Sequence, residues 1–241
     1  MQSLPSLPPK PVADIFRPEL TRLPEYHFGR RLARRGLWWL QRLLVATRIQ
    51  LTVHGLENFP ARGPALVVIN HLGDADIVVI LSQLCTFDVD PLAASNLYDL
   101  PALRLAAEMY GVIWLHRGHP DRRALNCALE SLRRGRFVTI APEGRESLAG
   151  GLERGLDGAS FLAQRADVPI VPIAVTGTEN PRLYRGLVCW PRQPVSMTVG
   201  HPFRLTRTGD RHADLESGTD RIMRELACLL PPEYQGVYRQ M

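Results

Sequence analysis

The chain has 241 residues, 45% of them hydrophobic, with 29 Lys+Arg against 24 Asp+Glu and a net charge of +5. That length suffices for one well-buried core, and no run reaches the ~18 apolar residues of a membrane-spanning helix. Cys85, Cys127, Cys189 and Cys228 lie far apart with no C-x-x-C pair. This argues against a zinc site or a disulfide framework and for reduced thiols in a cytosolic compartment.

Met1-Gln2-Ser3-Leu4-Pro5 lacks the basic start and apolar centre of a secretory signal. Residues 1–28 are rich in proline (Pro5, Pro8, Pro9, Pro11, Pro18, Pro24) and read as an arm. Residues 29–49 form an amphipathic helix. At 100° per residue, Arg30, Arg31, Arg34, Arg35, Gln41, Arg42 and Arg48 fall on one side. Leu32, Ala33, Leu37, Trp39, Leu40, Leu43 and Leu44 fall on the other, with Trp38 and Val45 straying onto the polar side. Arginines and adjacent tryptophans suit a membrane interface with anionic headgroups, and the competing reading is a surface helix laid on the core.

From residue 50 to 241, one domain is expected. Strands are predicted at Leu51–His54, Ala65–Ile69, Pro91–Ala94, Val112–Leu115, Phe137–Ala141, Ile170–Val175 and Val195–Val199. Helices are predicted at Ile77–Leu84, Leu100–Met109, Arg122–Arg134, Asp157–Ala166 and Ala213–Leu230, the last stopped by Pro231-Pro232. The alternation predicts a single α/β domain with a largely parallel or mixed sheet flanked by helices.

In such sheets ligands lie beyond the carboxyl ends of strands. Three loops there carry polar groups: His71 to Asp76, His116-Arg117-Gly118-His119, and Pro142-Glu143-Gly144-Arg145-Glu146-Ser147. A histidine five residues before an aspartate can be held by it through one ring nitrogen while the other faces a substrate hydroxyl. Asp74 is a rival orienter of His71, and Asp76 can also cap the following helix. Arginines on the other loops suit a phosphate. Gly144 permits a turn, and Glu143 can serve the loop by accepting backbone N–H bonds. His116 and His119 have a metal-like spacing but no third ligand. Gly150-Gly151 and Gly155 read as a flexible loop over the site, without the spacing or lysine of a phosphate-binding loop.

Together and in this order, the blocks resemble those of the glycerophospholipid acyltransferases, typified by 1-acylglycerol-3-phosphate acyltransferase. Asn70, His71 and Asp76 match that family's N-H-x4-D. Val53-His54-Gly55-Leu56-Glu57-Asn58 and Gly63-Pro64 resemble its lead-in, Arg117 its second-block arginine, and Val168-Pro169-Ile170-Val171-Pro172 its fourth block. The resemblance covers about residues 50 to 205. Against the third block, F-P-E-G-T-R-S, this chain reads Ala141-Pro142-Glu143-Gly144-Arg145-Glu146-Ser147. The family ties that block to the acceptor's phosphate; Arg145, one place early, can reach for the same oxygen, whereas Glu146 repels it.

The resemblance implies transfer of a fatty acyl group from a coenzyme A or acyl-carrier-protein thioester to a hydroxyl of a lysophospholipid. His71 and Asp76 would be catalytic, and Arg117, Glu143, Gly144 and Arg145 would bind substrate. No bound cofactor or metal is expected, because a thioester is already activated. The expected location is peripheral, on the cytoplasmic face of the cell membrane, against an anionic lipid surface. A different lipid acceptor and a hydrolase are the alternatives. No nucleic-acid-binding motif appears, and nucleic-acid binding would leave the apolar helix face unexplained.

Overall fold

The computed structural model describes residues 14–84, 86–118, 120–180 and 192–239. Cys85, His119, Cys189 and most of the prolines of the arm lie outside them. Helix α1 (Phe28–Arg48) leads directly into β1 (Ile49–His54). Then follow β2 (Ala65–Ile69), α2 (Asp76–Gln83), β3 (Val89–Ala94), α3 (Pro101–Tyr110), β4 (Ile113–Leu115), α4 (Arg122–Arg133) and β5 (Phe137–Ile140). The remainder is α5 (Gly158–Ala166), β6 (Ile170–Thr176), β7 (Gln193–Val199) and α6 (Arg211–Leu229).

The strands form one sheet in the order β1-β7-β6-β2-β5-β3-β4, parallel throughout except between β6 and β7. Helices cover both faces, so β2 and β5 are buried at every position, and β6 at all but its last, rather than alternately. On β2, Leu66 and Val68 point into a core shared with α4, α5 and α6, while Ala65, Val67 and Ile69 point into one shared with α1 and α2. Each fully buried Val, Leu or Ile there contributes roughly 1.5–3 kcal/mol. Because β6, β2 and β5 are adjacent and parallel, the loops after Thr176, Ile69 and Ile140 leave the middle of the sheet at the same edge.

Helix α1 meets the protein through only part of its arginine side and leaves most of its apolar stripe outward. Arg34, from the arginine side, is 1% exposed and ion-paired with Asp90 on β3 at 2.7 Å. It also donates to the carbonyls of Tyr110, Phe87 and Gly111 and stacks over the rings of Tyr26 and Tyr110. Trp38 donates its indole N–H to the Leu84 carbonyl, and Val45 is buried. Both residues stray from the apolar stripe because theirs is the side that meets the protein. Phe28 (82% exposed), Leu32, Trp39 (66%), Leu40, Leu43 and Leu44 face outward instead. Helix α1 is thus laid on the core, as one of the two readings has it, but through Arg34, Trp38 and Val45, and most of its apolar stripe is left outward. Asp90 sets the orientation: it also accepts from Tyr26, Ser131 and Arg136, and a buried carboxylate needs such a shell.

Candidate active site

Asn70 stands where β2 and β6 begin to separate. Its side chain continues the ladder: Oδ1 accepts from the Val175 N–H at 2.7 Å and Nδ2 donates to the Val175 carbonyl at 2.8 Å. The chain then reverses through His71–Ala75 into α2. Asp76, 0% exposed at the first turn of α2, gathers the reversal on one oxygen. Its Oδ2 accepts from the N–H groups of Leu72 (2.7 Å) and Gly73 (3.1 Å) and lies 2.9 Å from His71 Nδ1. Since a carboxylate only accepts, Nδ1 carries the proton and Nε2 is left as the basic nitrogen. The His71 side chain is 29% exposed, and no described residue donates to Nε2. Burial alone would lower the His71 pKa; the hydrogen bond and charge of Asp76, followed by the charges of Glu146 and Glu143, outweigh it and raise the pKa above the ordinary value.

The loop after β5 closes on the same turn. Glu143, buried, accepts from the His71 N–H (3.1 Å) with Oε1 and from the Glu153 N–H (2.8 Å) with Oε2. Burial pushes its carboxyl up to about 7, against the pull of those two N–H groups. The Ser147 N–H donates to the His71 carbonyl at 2.7 Å, so two bonds tie this loop to the histidine's own backbone. Gly144 sits at φ +74°, and a Cβ there would meet Leu156 Cδ1 at 2.7 Å, which explains why this turn needs glycine.

Arg145 turns inward. It is 6% exposed and its guanidinium grips Glu153 Oε2 through Nε (2.8 Å) and Nη2 (2.6 Å). Glu153 also accepts from the Leu148 N–H and so fixes the loop from the far side. Sequence reasoning missed Glu153; a single acid beside Gly150-Gly151 was the available signal. Nor is this glycine-rich segment the flexible cover expected of it. Residues 151–153 are buried, Leu152 exchanges hydrogen bonds with Tyr234 and Val237 of the C-terminal segment, and a Cβ on Gly151 would meet the Gly236 backbone at 3.0 Å.

A third loop, after β6, was also missed. Asn180 accepts from the Asp74 N–H (2.9 Å) and donates to Glu146 Oε2 (3.0 Å), joining the two acids beside His71. Asp74 thus belongs to the rim, while Asp76 holds the ring.

The His116–Arg117 loop is elsewhere. It leaves β4, three strands from β2 in the sheet order and so on the order of 14 Å away at ~4.8 Å per strand. Arg117 directs its backbone N–H and its guanidinium to Asp14, at 3.0 and 3.4 Å. His116 and Asp121 form a second His-x4-Asp arrangement, with Nδ1 2.7 Å from Asp121 Oδ2. Here Nε2 accepts the Arg17 N–H at 2.9 Å and Phe16 packs against the ring, so both nitrogens are engaged. His119 lies outside the described residues, and among those described no three His, Cys, Asp or Glu side chains are grouped to hold a metal.

Residues 50–176 match the model of the Acyltransferase family. The chain belongs to that family. It is 33% identical over 133 residues to the chloroplastic 1-acyl-sn-glycerol-3-phosphate acyltransferase of Arabidopsis thaliana, covering 54% of this chain and 36% of that one. It is 33% identical over 142 residues to the lyso-ornithine lipid O-acyltransferase of Pseudomonas aeruginosa, covering 58% and 52%. The 1-acyl-sn-glycerol-3-phosphate acyltransferase of Borreliella burgdorferi is 27% identical over 136 residues, covering 55% and 53%. The matched stretch thus spans about a third to a half of these relatives. In fold, the acyltransferase domain resembles the crystal structure of the 1-acyl-sn-glycerophosphate acyltransferase PlsC from Thermotoga maritima, with TM-score 0.63, 20% identity and coverage of 83% of this chain and 81% of that one.

Proposed function

We propose that this protein transfers a fatty acyl group from a coenzyme A or acyl-carrier-protein thioester to a hydroxyl of a membrane lysolipid, the class that includes 1-acylglycerol-3-phosphate. The observation that carries this reading is the His71–Asp76 pair at the end of a central strand, 2.9 Å apart, with Nε2 engaged by no described residue. His71 Nε2 removes the acceptor hydroxyl proton as its oxygen attacks the thioester carbonyl. The carbon–sulfur bond then breaks, and the departing thiolate takes the proton back from the imidazolium. Asp76 keeps the proton on Nδ1 and stabilises the charged ring. Such positioned base catalysis contributes about 10²- to 10⁴-fold. A thioester is activated enough to need neither metal nor nucleotide, and the His71 loop holds no Ser or Cys to form an acyl-enzyme.

No described helix is long and apolar enough to cross a membrane. The outward apolar face of α1 supports attachment to the membrane surface, and the neighbouring α3 adds exposed Leu103, Leu105 and Met109, with Leu100 just before it. Patches of this kind on soluble proteins mark interaction surfaces. Arg31, Arg35 and Arg42, all exposed on the same helix, suit anionic headgroups. The test is His71→Ala with a radiolabelled acyl thioester and a panel of lysolipids. Turnover is expected to fall at least 10²-fold with the circular dichroism spectrum unchanged, and near-wild-type transfer by the folded variant would end the assignment.

A further inference from the structure

We propose that the acceptor presented to His71 carries an amine-bearing headgroup, and that Glu146 together with Asp74 selects it against an anionic phosphate monoester. The inference rests on the acyl-transfer reading above. It begins with what happens to the arginines. Arg145 is the cation of the loop that contacts His71, and its guanidinium is spent inside the protein on Glu153. Arg117 is engaged by Asp14 at the edge of the sheet. A phosphate is bound best by guanidinium groups that offer their N–H fork to it; both forks here already face carboxylates.

The outward place in the loop goes to Glu146. The Asn180 side chain fixes it beside Asp74, its amide donating to Glu146 and its oxygen accepting from the Asp74 N–H. Burial first, and then the charge of Asp74, raises the Glu146 pKa, whereas His71 lowers it. A further cation would act in the same sense as His71, satisfying a pair of acids that otherwise repel. A phosphate monoester, carrying nearly two negative charges, would add a third repelling group. An ammonium group, with protons to donate and charge of the right sign, matches a rim of two adjacent carboxylates beside His71.

The experiment supplies the full-length protein with an acyl-CoA or an acyl-carrier-protein thioester and three lysolipids in mixed micelles. These are 1-acylglycerol-3-phosphate, its ethanolamine ester, and a phosphate-free lyso-aminolipid such as lyso-ornithine lipid. Comparison of the two amine-bearing lipids separates an amine on a phosphodiester from an amine alone. The expected result is a kcat/KM at least tenfold higher for one or both amine-bearing acceptors than for the phosphate monoester. Glu146→Gln should narrow that ratio and Glu146→Arg should reverse it; loss of structure alone would lower all acceptors together and leave the ratio where it was. Preference of the unaltered protein for the phosphate monoester, or a ratio unmoved in folded E146Q and E146R, would overturn the inference while leaving acyl transfer intact. Transfer to none of the three with either donor would overturn the acyl-transfer reading and this inference with it.

Discussion

A histidine becomes a base by being held at one nitrogen and left at the other. His71 meets that condition because Asp76 spends a single oxygen on the ring and on two backbone N–H groups of the same turn. His116 makes the same bond to Asp121 and fails the condition, because the arm delivers the Arg17 N–H to its far nitrogen. Spacing suggests the pairing of His71 with Asp76 but leaves Asp74 as a rival; which of two His-x4-Asp stretches keeps a ring nitrogen unengaged depends on residues about a hundred places away. The environment of His71 also fixes its pH response. Asp76 raises the pKa above the ordinary ~6.5, and the base role proposed for His71 needs the neutral ring. The rate should therefore rise with pH to a plateau, with a midpoint above that of an isolated histidine. Asp76→Asn removes the raising charge, so the imidazole titration of that variant, followed by NMR, should move to lower pH. A midpoint unchanged by the substitution would mean that Asp76 does not govern the ring. The stability contribution has the opposite pH sense: with the folded pKa raised, it is present in acid and fades as pH climbs through the folded value.

Among the elements, the strands and helices follow apolar periodicity closely, and their observed ends fall within about two residues of expectation. Periodicity says which residues of a helix share a face, but it does not say which face turns inward. For α1 that choice rests on one long-range pair, Arg34 with Asp90, separated by 56 residues. No window along the chain contains both. The same applies to Arg145: its spacing suggests a phosphate ligand, yet its direction is set by Glu153 in a loop that reads as flexible until the C-terminal segment pins it. Removing one member of a buried ion pair typically costs about 3–5 kcal/mol. Asp90 keeps Tyr26, Ser131 and Arg136 as partners, so Arg34→Ala should fall at the lower end, about 3 kcal/mol. In a domain of this size that corresponds to a fall in Tm of roughly 6–12 °C, measurable by differential scanning calorimetry. A change within a degree or two would mean that α1 is held by other contacts.

At the scale of the molecule, one sheet edge gathers three loops from adjacent parallel strands, while α1 and α3 leave apolar side chains uncovered. Vesicle flotation measures what that uncovered surface does. Binding should be stronger on vesicles rich in anionic phospholipid than on neutral ones and should weaken as salt rises, since screening acts on Arg31, Arg35 and Arg42 but not on apolar contact. Replacing Trp39 and Leu43 by Ser removes two outward anchors, each worth roughly 1.5–3 kcal/mol if fully buried in lipid. The vesicle partition coefficient should then drop more than tenfold at an unchanged Tm, because neither side chain supports the core. Equal flotation of variant and parent would count against α1 as the docking element.

The outward stripe of α1 has a practical corollary at the bench. In plain buffer, with no bilayer to cover Phe28, Trp39 and Leu43, the cheapest shelter for those rings and methyl groups is another molecule's helix. Purified material should thus elute from a sizing column as a mixture whose average mass climbs with concentration and collapses to monomer when a mild surfactant is added.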